Sequence, residues 1–282
     1  MTMEYGLSSQ LLIKDWIALF EKEYFGYRAR NPKSETTWKT HYFAIFRRLP
    51  GQERLSLQLL KEFILHNTQP DSRQRVRACQ VLSALARFAG LNFDTRKLRG
   101  KYNFRNTKPR NLPEDSEIAR YYCQIADLNW RWVYGMLATF GLRPHEVFLL
   151  NLDKLQSAYM VTVENGKTGF RRVWALYPEW VQQFDLAIVR IPSVSGANYS
   201  DLGHRVAQVF RRSSIPFRAY DLRHAWAVRS LEFGLELPLA AQQMGHSLEV
   251  HSSVYHHWIS EKKHQQAFER MLLNPGRPMP PD

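Results

Sequence analysis

AYMVTVENGKTGFRRVWAL, residues 158–176, is the one stretch of this 282-residue chain that reads as β-structure, and it decides the fold class. Ala158–Glu164 is rich in β-branched and aromatic residues. Asn165-Gly166 is a strong tight-turn dipeptide, and Phe170–Leu176 resumes as a strand. A β-hairpin is therefore expected, set among helices on both sides. Helical patterns precede it at 114–127 and 129–141, and helices dominate again from about Arg205, ending in an amphipathic stretch at 260–273. The expectation is a mainly α chain with a small β-sheet.

Upstream of the hairpin the front third reads as all helix. Leu11, Leu12, Trp16, Ile17, Leu19 and Phe20 recur at helical spacing, as do Trp38, Tyr42, Phe43, Ile45 and Phe46. Ser56 or one of its neighbours is placed to cap a helix carrying Leu59, Leu60, Phe63 and Ile64. A further helix from about Ser72 to Ala89 turns Val76, Val81, Leu82, Leu85 and Phe88 inward, leaving Arg73, Arg75, Arg77 and Arg87 largely exposed. An ordinary helical bundle fits this periodicity as well as a DNA-clamping module does. Between Lys101 and Pro113 the periodicity lapses into bases, Asn and Pro, as in an inter-domain linker. The expected division is 1–100, a basic linker at 101–113, and 114–282.

Charge is distributed unevenly. Of a net +13, residues 1–100 hold 17 Lys/Arg against 9 Asp/Glu, 101–111 add four bases and no acid, and the remainder is nearly balanced. Such asymmetry suits a polyanion partner bound by the first third and the linker, through phosphate neutralisation and counterion release. A solubilising surface would look the same by charge alone. A hydrophobic fraction of 44% supports packed cores. No apolar run reaches the ~18–20 residues of a membrane span, and MTMEYGLSSQ lacks the basic-then-apolar order of a secretory signal. Cys79 and Cys123 are too few for a disulfide framework or a cysteine zinc site. A cytoplasmic, nucleoid-associated protein with no membrane partner is expected.

Three segments carry the chemistry: FGLRPHEV (140–147), YDLRHAWAVR (220–229) and MGHSLEVHSSVYHHW (244–258), with ENGKTGFRR (164–172) between the first two. In residue type, order and spacing they resemble the tyrosine recombinase (phage integrase) family. The resemblance covers most of 114–273, and the basic helical front half is similar to the family's core-binding domain. SETTWKTHY (34–42) and PDSRQRVRACQVLSALARFAGL (70–91) look like recombinases of cyanobacterial type.

The resemblance implies an N-terminal helical core-binding (SAM-like) domain and an α/β catalytic domain closing around duplex DNA. It implies metal-independent strand exchange, with no cofactor, by a homotetramer on two paired sites. Arg143 and Arg223 match the pair that clamps the scissile phosphate. A planar fork that stays charged suits charge building on non-bridging oxygens; an isolated arginine would as readily pair with Glu146 or Asp221. Lys167 matches the general acid for the departing 5′-oxygen, although a solvated turn lysine would sit there too. His246 matches a phosphate hydrogen-bonding residue, and Tyr255 the nucleophile that forms a 3′-phosphotyrosine and conserves the bond energy.

One position departs from the family pattern. Where a histidine usually stands three residues before the second arginine, this chain has Tyr220. With a reference pKa of about 10, a phenol is a poor base at neutral pH, so Tyr220 is expected to lend a supporting hydrogen bond. The substitution leaves open a DNA-binding protein of the same fold that does not cleave. Glu146 is expected to orient Arg143 or a neighbouring base, His224 to pack, and Arg171 and Arg172 to be phosphate contacts or surface charges. His246, His251, His256 and His257 invite a metal reading, but no nearby Asp or Cys completes a recognised spacing. Within 260–273, Ala267, Phe268, Met271 and Leu272 share a face that could dock on a neighbouring protomer or within its own domain. About ten residues precede the first helix, so the extra arm-binding domain of larger integrases is not expected.

Overall fold

The computed structural model describes residues 11–102, 111–166, 169–196, 198–255, 265, 268, 269 and 271–277. The chain divides into two compact units, Met1–Thr107 and Lys108–Asp282.

In the first unit the described elements are helical. They are α1 (Ile13–Gly26), α2 (Pro32–Thr37), a π-helical turn over Trp38–Phe43 running on into α3 (Ala44–Phe46), α4 (Leu57–Asn67) and α5 (Arg73–Phe88). Local chemistry sets the helix starts. Ser56 Oγ accepts the Leu59 N–H at 3.2 Å and Ser72 Oγ accepts that of Arg75 at 3.1 Å, so each serine caps its helix. Pro32 follows the Asn31 cap, where its missing N–H costs nothing. An aromatic cluster of Phe20, Tyr24, Trp38, Tyr42 and Phe46 joins α1 to the π-turn. Leu60, Ile64, Leu82 and Leu85 complete this core from α4 and α5.

The arginines of α5 do not all face water. Arg73 and Arg87 are exposed, but Arg75 is buried and Arg77 half-buried. Arg75 Nη2 donates to the Thr68 carbonyl at 2.7 Å and Nε to Thr68 Oγ1 at 3.1 Å. The fork thus occupies the carbonyl end of α4, where helix C-terminal oxygens lack partners.

The second unit is helical around a three-stranded antiparallel sheet in the order β1 (Leu150–Asn151), β2 (Met160–Gly166), β3 (Gly169–Trp174). The expected hairpin is present, with its turn displaced. Gly166 pairs with Gly169, and the register shifts between Val163 and Gly166, so Asn165-Gly166 belongs to β2. A bulge explains the displacement: the extra residue lets Asn165-Gly166 stay in the ladder. Val161, Val163 and Val173 point into the core.

The helices are α6 (Asp115–Tyr122), α7 (Leu128–Phe140), α8 (Leu155–Ala158), α9 (Glu179–Gln183), α10 (Tyr199–Arg212), α11 (Ala219–Glu232), α12 (Leu237–Met244) and α13 (Leu248–Tyr255). Helix α6 stops several residues short of 127 because Asp127 caps α7, accepting the N–H groups of Asn129 and Trp130. α7 is buried nearly all round and packs on α11. Arg229 of α11 pairs with Asp115 at the start of α6, stacked over Tyr177 and Trp180. Of the stretch 260–273, most residues including Ala267 lie outside the described ones; Phe268, Met271 and Leu272 are exposed. Among the described residues no helix is long and apolar enough to cross a membrane.

Candidate active site

Two glycine-ended helices build the floor of the site. α7 ends at Gly141 (φ 57°) and α12 at Gly245 (φ 59°), both left-handed. At Gly141 no other residue fits well, because a Cβ there would lie 2.6 Å from Trp226 Cγ. These ends leave main-chain oxygens free to accept. Arg223, fully buried on α11, donates Nη1 to the Gly141 carbonyl at 2.8 Å and Nη2 to the Met244 carbonyl. Arg143, just past the end of α7, donates Nη2 to the Gly245 carbonyl at 3.1 Å. Helix C-terminal carbonyls carry partial negative charge and hold guanidiniums well.

Glu146 is the carboxylate between the arginines. Completely buried, it accepts Arg143 N–H at 2.7 Å and Nη1 at 2.8 Å. It also accepts Arg171 Nη1 at 2.9 Å and Nη2 at 2.5 Å. Burial by itself would push this carboxyl up. The Arg171 hydrogen bonds and the charges of Arg171, Arg223 and Arg143 outweigh that and hold it down at about 2. Glu146 therefore orients Arg143 as expected, and Arg171 as well. Arg171 is neither a surface charge nor a free phosphate contact: it is buried, and its Nε reaches the Gln243 carbonyl at 2.8 Å. Arg172, the next residue on β3, is exposed. The alternation of β3 carries that signal, since Arg171 shares the inward face with Val173.

His246 follows the end of α12, and its Nε2 lies 3.2 Å from Arg223 Nη2. A guanidinium can only donate, so Nε2 accepts and the neutral ring carries its proton on Nδ1. Burial first, then the charges of Arg223 and Arg143, pull this imidazole down to about 3. His246 Nδ1 and Arg223 Nε are both buried and have no hydrogen-bond partner among the described residues. Burial and the nearby Arg143 charge also pull Arg223 down to about 10, so it stays charged at neutral pH.

Tyr255, the last residue of α13, is buried with its ring 6.4 Å from that of His246 and 4.7 Å from that of His251. Its hydroxyl lies 3.0 Å from His224 Nδ1. Burial raises the phenol well above the ordinary tyrosine range, against the lowering effect of Arg223. Tyr220, in the first turn of α11, is 38% exposed and sets its ring edge-on to His224 at 5.2 Å. The fold thus gathers Arg143, Arg223, His246 and Tyr255 in one place, with Tyr220 at its margin. Lys167 lies outside the described residues, as do His256 and His257. Two residues make contacts that the sequence reading did not assign to them: Arg171, paired with Glu146, and His224, expected to pack, which also meets the Tyr255 hydroxyl. No sequence signal pairs His224 with Tyr255, since the contact depends on how α13 folds back on α11.

Chemically, the floor is electropositive and suits an anion. Three buried guanidiniums, Arg143, Arg171 and Arg223, surround one carboxylate among the described residues, and two orphaned donors accompany them. Buried positive charge is costly, and an anion beside it lowers that cost.

Residues 14–99 match the XisA/XisC excisase second-domain family. Over 92% of its length the chain is 30% identical to Excisase A of Nostoc sp., and over 90% it is 29% identical to Excisase C of the same organism. It spans 61% and 56% of those two proteins. Among solved structures it is similar to the Tn1549 transposon integrase in complex with transposon right end DNA. That likeness has a TM-score of 0.60 at 15% identity and covers 93% of this chain and all of that one. A lambda integrase dimer bound to a core site also gives 0.60, at 16% identity, over 84% of this chain and 96% of that one. At such identities the likeness is one of fold.

Proposed function

We propose that this chain, which belongs to the tyrosine recombinase family, is a site-specific DNA recombinase that excises a DNA element by strand exchange through Tyr255. The observation that carries this reading is the set of three buried guanidiniums, Arg143, Arg171 and Arg223, around the Glu146 carboxylate beside the buried Tyr255, among the described residues. A phosphodiester brings negative charge to these guanidiniums. Arg143 and Arg223 bind its non-bridging oxygens, and the His246 Nδ1–H supplies a further donor. The Tyr255 oxygen attacks phosphorus in line, and the 5′-oxygen departs with a proton from Lys167. A 3′-phosphotyrosine and a free 5′-hydroxyl result. Attack by the 5′-hydroxyl of a partner strand reverses the step, so no external energy source or metal enters.

The basic first unit contributes sequence-independent phosphate contacts through exposed arginines such as Arg73 and Arg87. Four protomers on two duplex sites would exchange strands pairwise. Excision is the favoured outcome because the relatives in sequence are excisases.

A supercoiled plasmid carrying two directly repeated copies of the sequence flanking the gene tests this reading. Incubation with the protein and a chelator is expected to give two circles. Relaxation without exchange would point to topoisomerase chemistry. Binding of the sites with no product of either kind would replace recombination by binding alone.

A further inference from the structure

We propose that His224 is the proton acceptor for Tyr255, taking over from the helical turn before it the role that Tyr220 is chemically unfit to fill. The inference rests on the reading of Tyr255 as nucleophile. Its carrying observation is the 3.0 Å contact between His224 Nδ1 and the Tyr255 hydroxyl.

A buried phenol does not ionise unaided near neutral pH, and here burial holds the proton on more firmly. An acceptor must therefore touch the hydroxyl as it attacks. Among the described residues, the other nearby groups fall short. His246 already accepts from Arg223 at Nε2, which leaves a proton on Nδ1 and no lone pair to offer. His251 lies against the ring of Tyr255, and neither of its nitrogens has a hydrogen-bond partner among the described residues. Tyr220 is itself a phenol. An imidazole, with a reference pKa of about 6.5, is a far better acceptor at neutral pH.

His224 stands four residues after Tyr220 on α11, one turn along the same face, and the two rings touch edge to face. The side chain is half-buried, so it reaches the hydroxyl without sharing the full desolvation of Arg223. Tyr220 thus becomes a positioning residue that fixes the imidazole plane.

The step balances. The Tyr255 O–H bond breaks and its proton passes to His224 Nδ1 as the phenol oxygen bonds to phosphorus. The bond from phosphorus to the 5′-oxygen breaks, and that oxygen takes a proton from Lys167. His224 is left as imidazolium, and it returns the proton to Tyr255 when a 5′-hydroxyl attacks the phosphotyrosine.

The test uses the full chain and nicked suicide duplexes made from the DNA flanking the gene, without metal. His224→Ala is expected to form the covalent adduct about 10²–10⁴-fold more slowly at unchanged DNA affinity. Added imidazoles should restore the rate, the more basic ones more effectively. Wild-type rates, or a loss that no imidazole restores in a folded variant that binds DNA, would overturn the proposal. A wild-type protein that binds but forms no adduct would instead remove Tyr255 as nucleophile, and this role with it. A second readout needs no cleavage. Nitrogen NMR of 15N-histidine-labelled protein is expected to show His224 Nδ1 unprotonated and accepting a hydrogen bond that Tyr255→Phe abolishes. A proton resident on Nδ1 would contradict the proposal.

Discussion

Arg171 of β3 and Glu146 meet through two parallel hydrogen bonds, Nη1 to Oε1 at 2.9 Å and Nη2 to Oε2 at 2.5 Å. This fork ties the sheet to the segment that carries Arg143. The same carboxylate holds Arg143, so one buried acid sets the position of two guanidiniums.

Glu146→Gln should therefore be costly. Removing the charge leaves Arg143 and Arg171 buried without their anion, a loss of about 3–5 kcal/mol, read as a lower urea midpoint at unchanged m-value. The acid response follows from the sign of the shift. The folded carboxyl sits at about 2, below its ordinary value of 4.5, so its contribution is complete above pH 4.5 and drains away as pH falls toward 2. Wild-type stability should fall over that window more steeply than that of Glu146→Gln.

His251 predicts the opposite behaviour on removal. It is fully buried, neither ring nitrogen has a partner among the described residues, and burial followed by the Arg223 charge pulls it down to about 4. Because the unfolded imidazole binds a proton below about pH 6.5 and the folded one does not, folding loses stability as pH falls from 6.5 toward 4. His251→Leu should be neutral or stabilising at pH 7 and should flatten that loss. A marked drop in melting temperature at pH 7 would show a partner for the ring.

Gly141→Ala combines strain with collision. The φ of 57° disfavours a side chain by about 1–2 kcal/mol, and the new methyl meets Trp226 at 2.6 Å, adding about 1–3 kcal/mol. Thermal denaturation should show a drop of several degrees. Since the Gly141 carbonyl accepts from Arg223, DNA affinity should fall as well.

In the first unit two neighbouring arginines should behave differently. Arg75→Ala removes the buried fork from the end of α4 and should destabilise by about 1–3 kcal/mol. Arg73→Ala should leave the denaturation midpoint within about 0.5 kcal/mol while lowering the salt dependence of DNA binding by about one counterion. Equal melting temperatures for the two variants would contradict the assignment.

What was legible in the sequence was local chemistry and motif order. Ser56 and Ser72 cap the helices that their spacing implies, and the hairpin stands between the two arginine motifs. Arg143, Arg223, His246 and Tyr255 converge although 102 residues separate Arg143 from Gly245, whose carbonyl it holds. The rest depends on tertiary context. A bulge moved the turn beyond Asn165-Gly166. Arg75 reads as a solvent-facing base until α4 offers its open carbonyls. His224 gains its partner only because α13 brings Tyr255 back to α11.

The most direct measurement of the central claim is covalent capture. The protein is incubated, free of metal, with a nicked duplex carrying the candidate site, and any adduct that survives denaturation is digested and sequenced by mass spectrometry. The account predicts a nucleotide linked through its 3′-phosphate to Tyr255 and no adduct with Tyr255→Phe. Linkage to another residue, or tight binding of a verified site with no adduct, would contradict it.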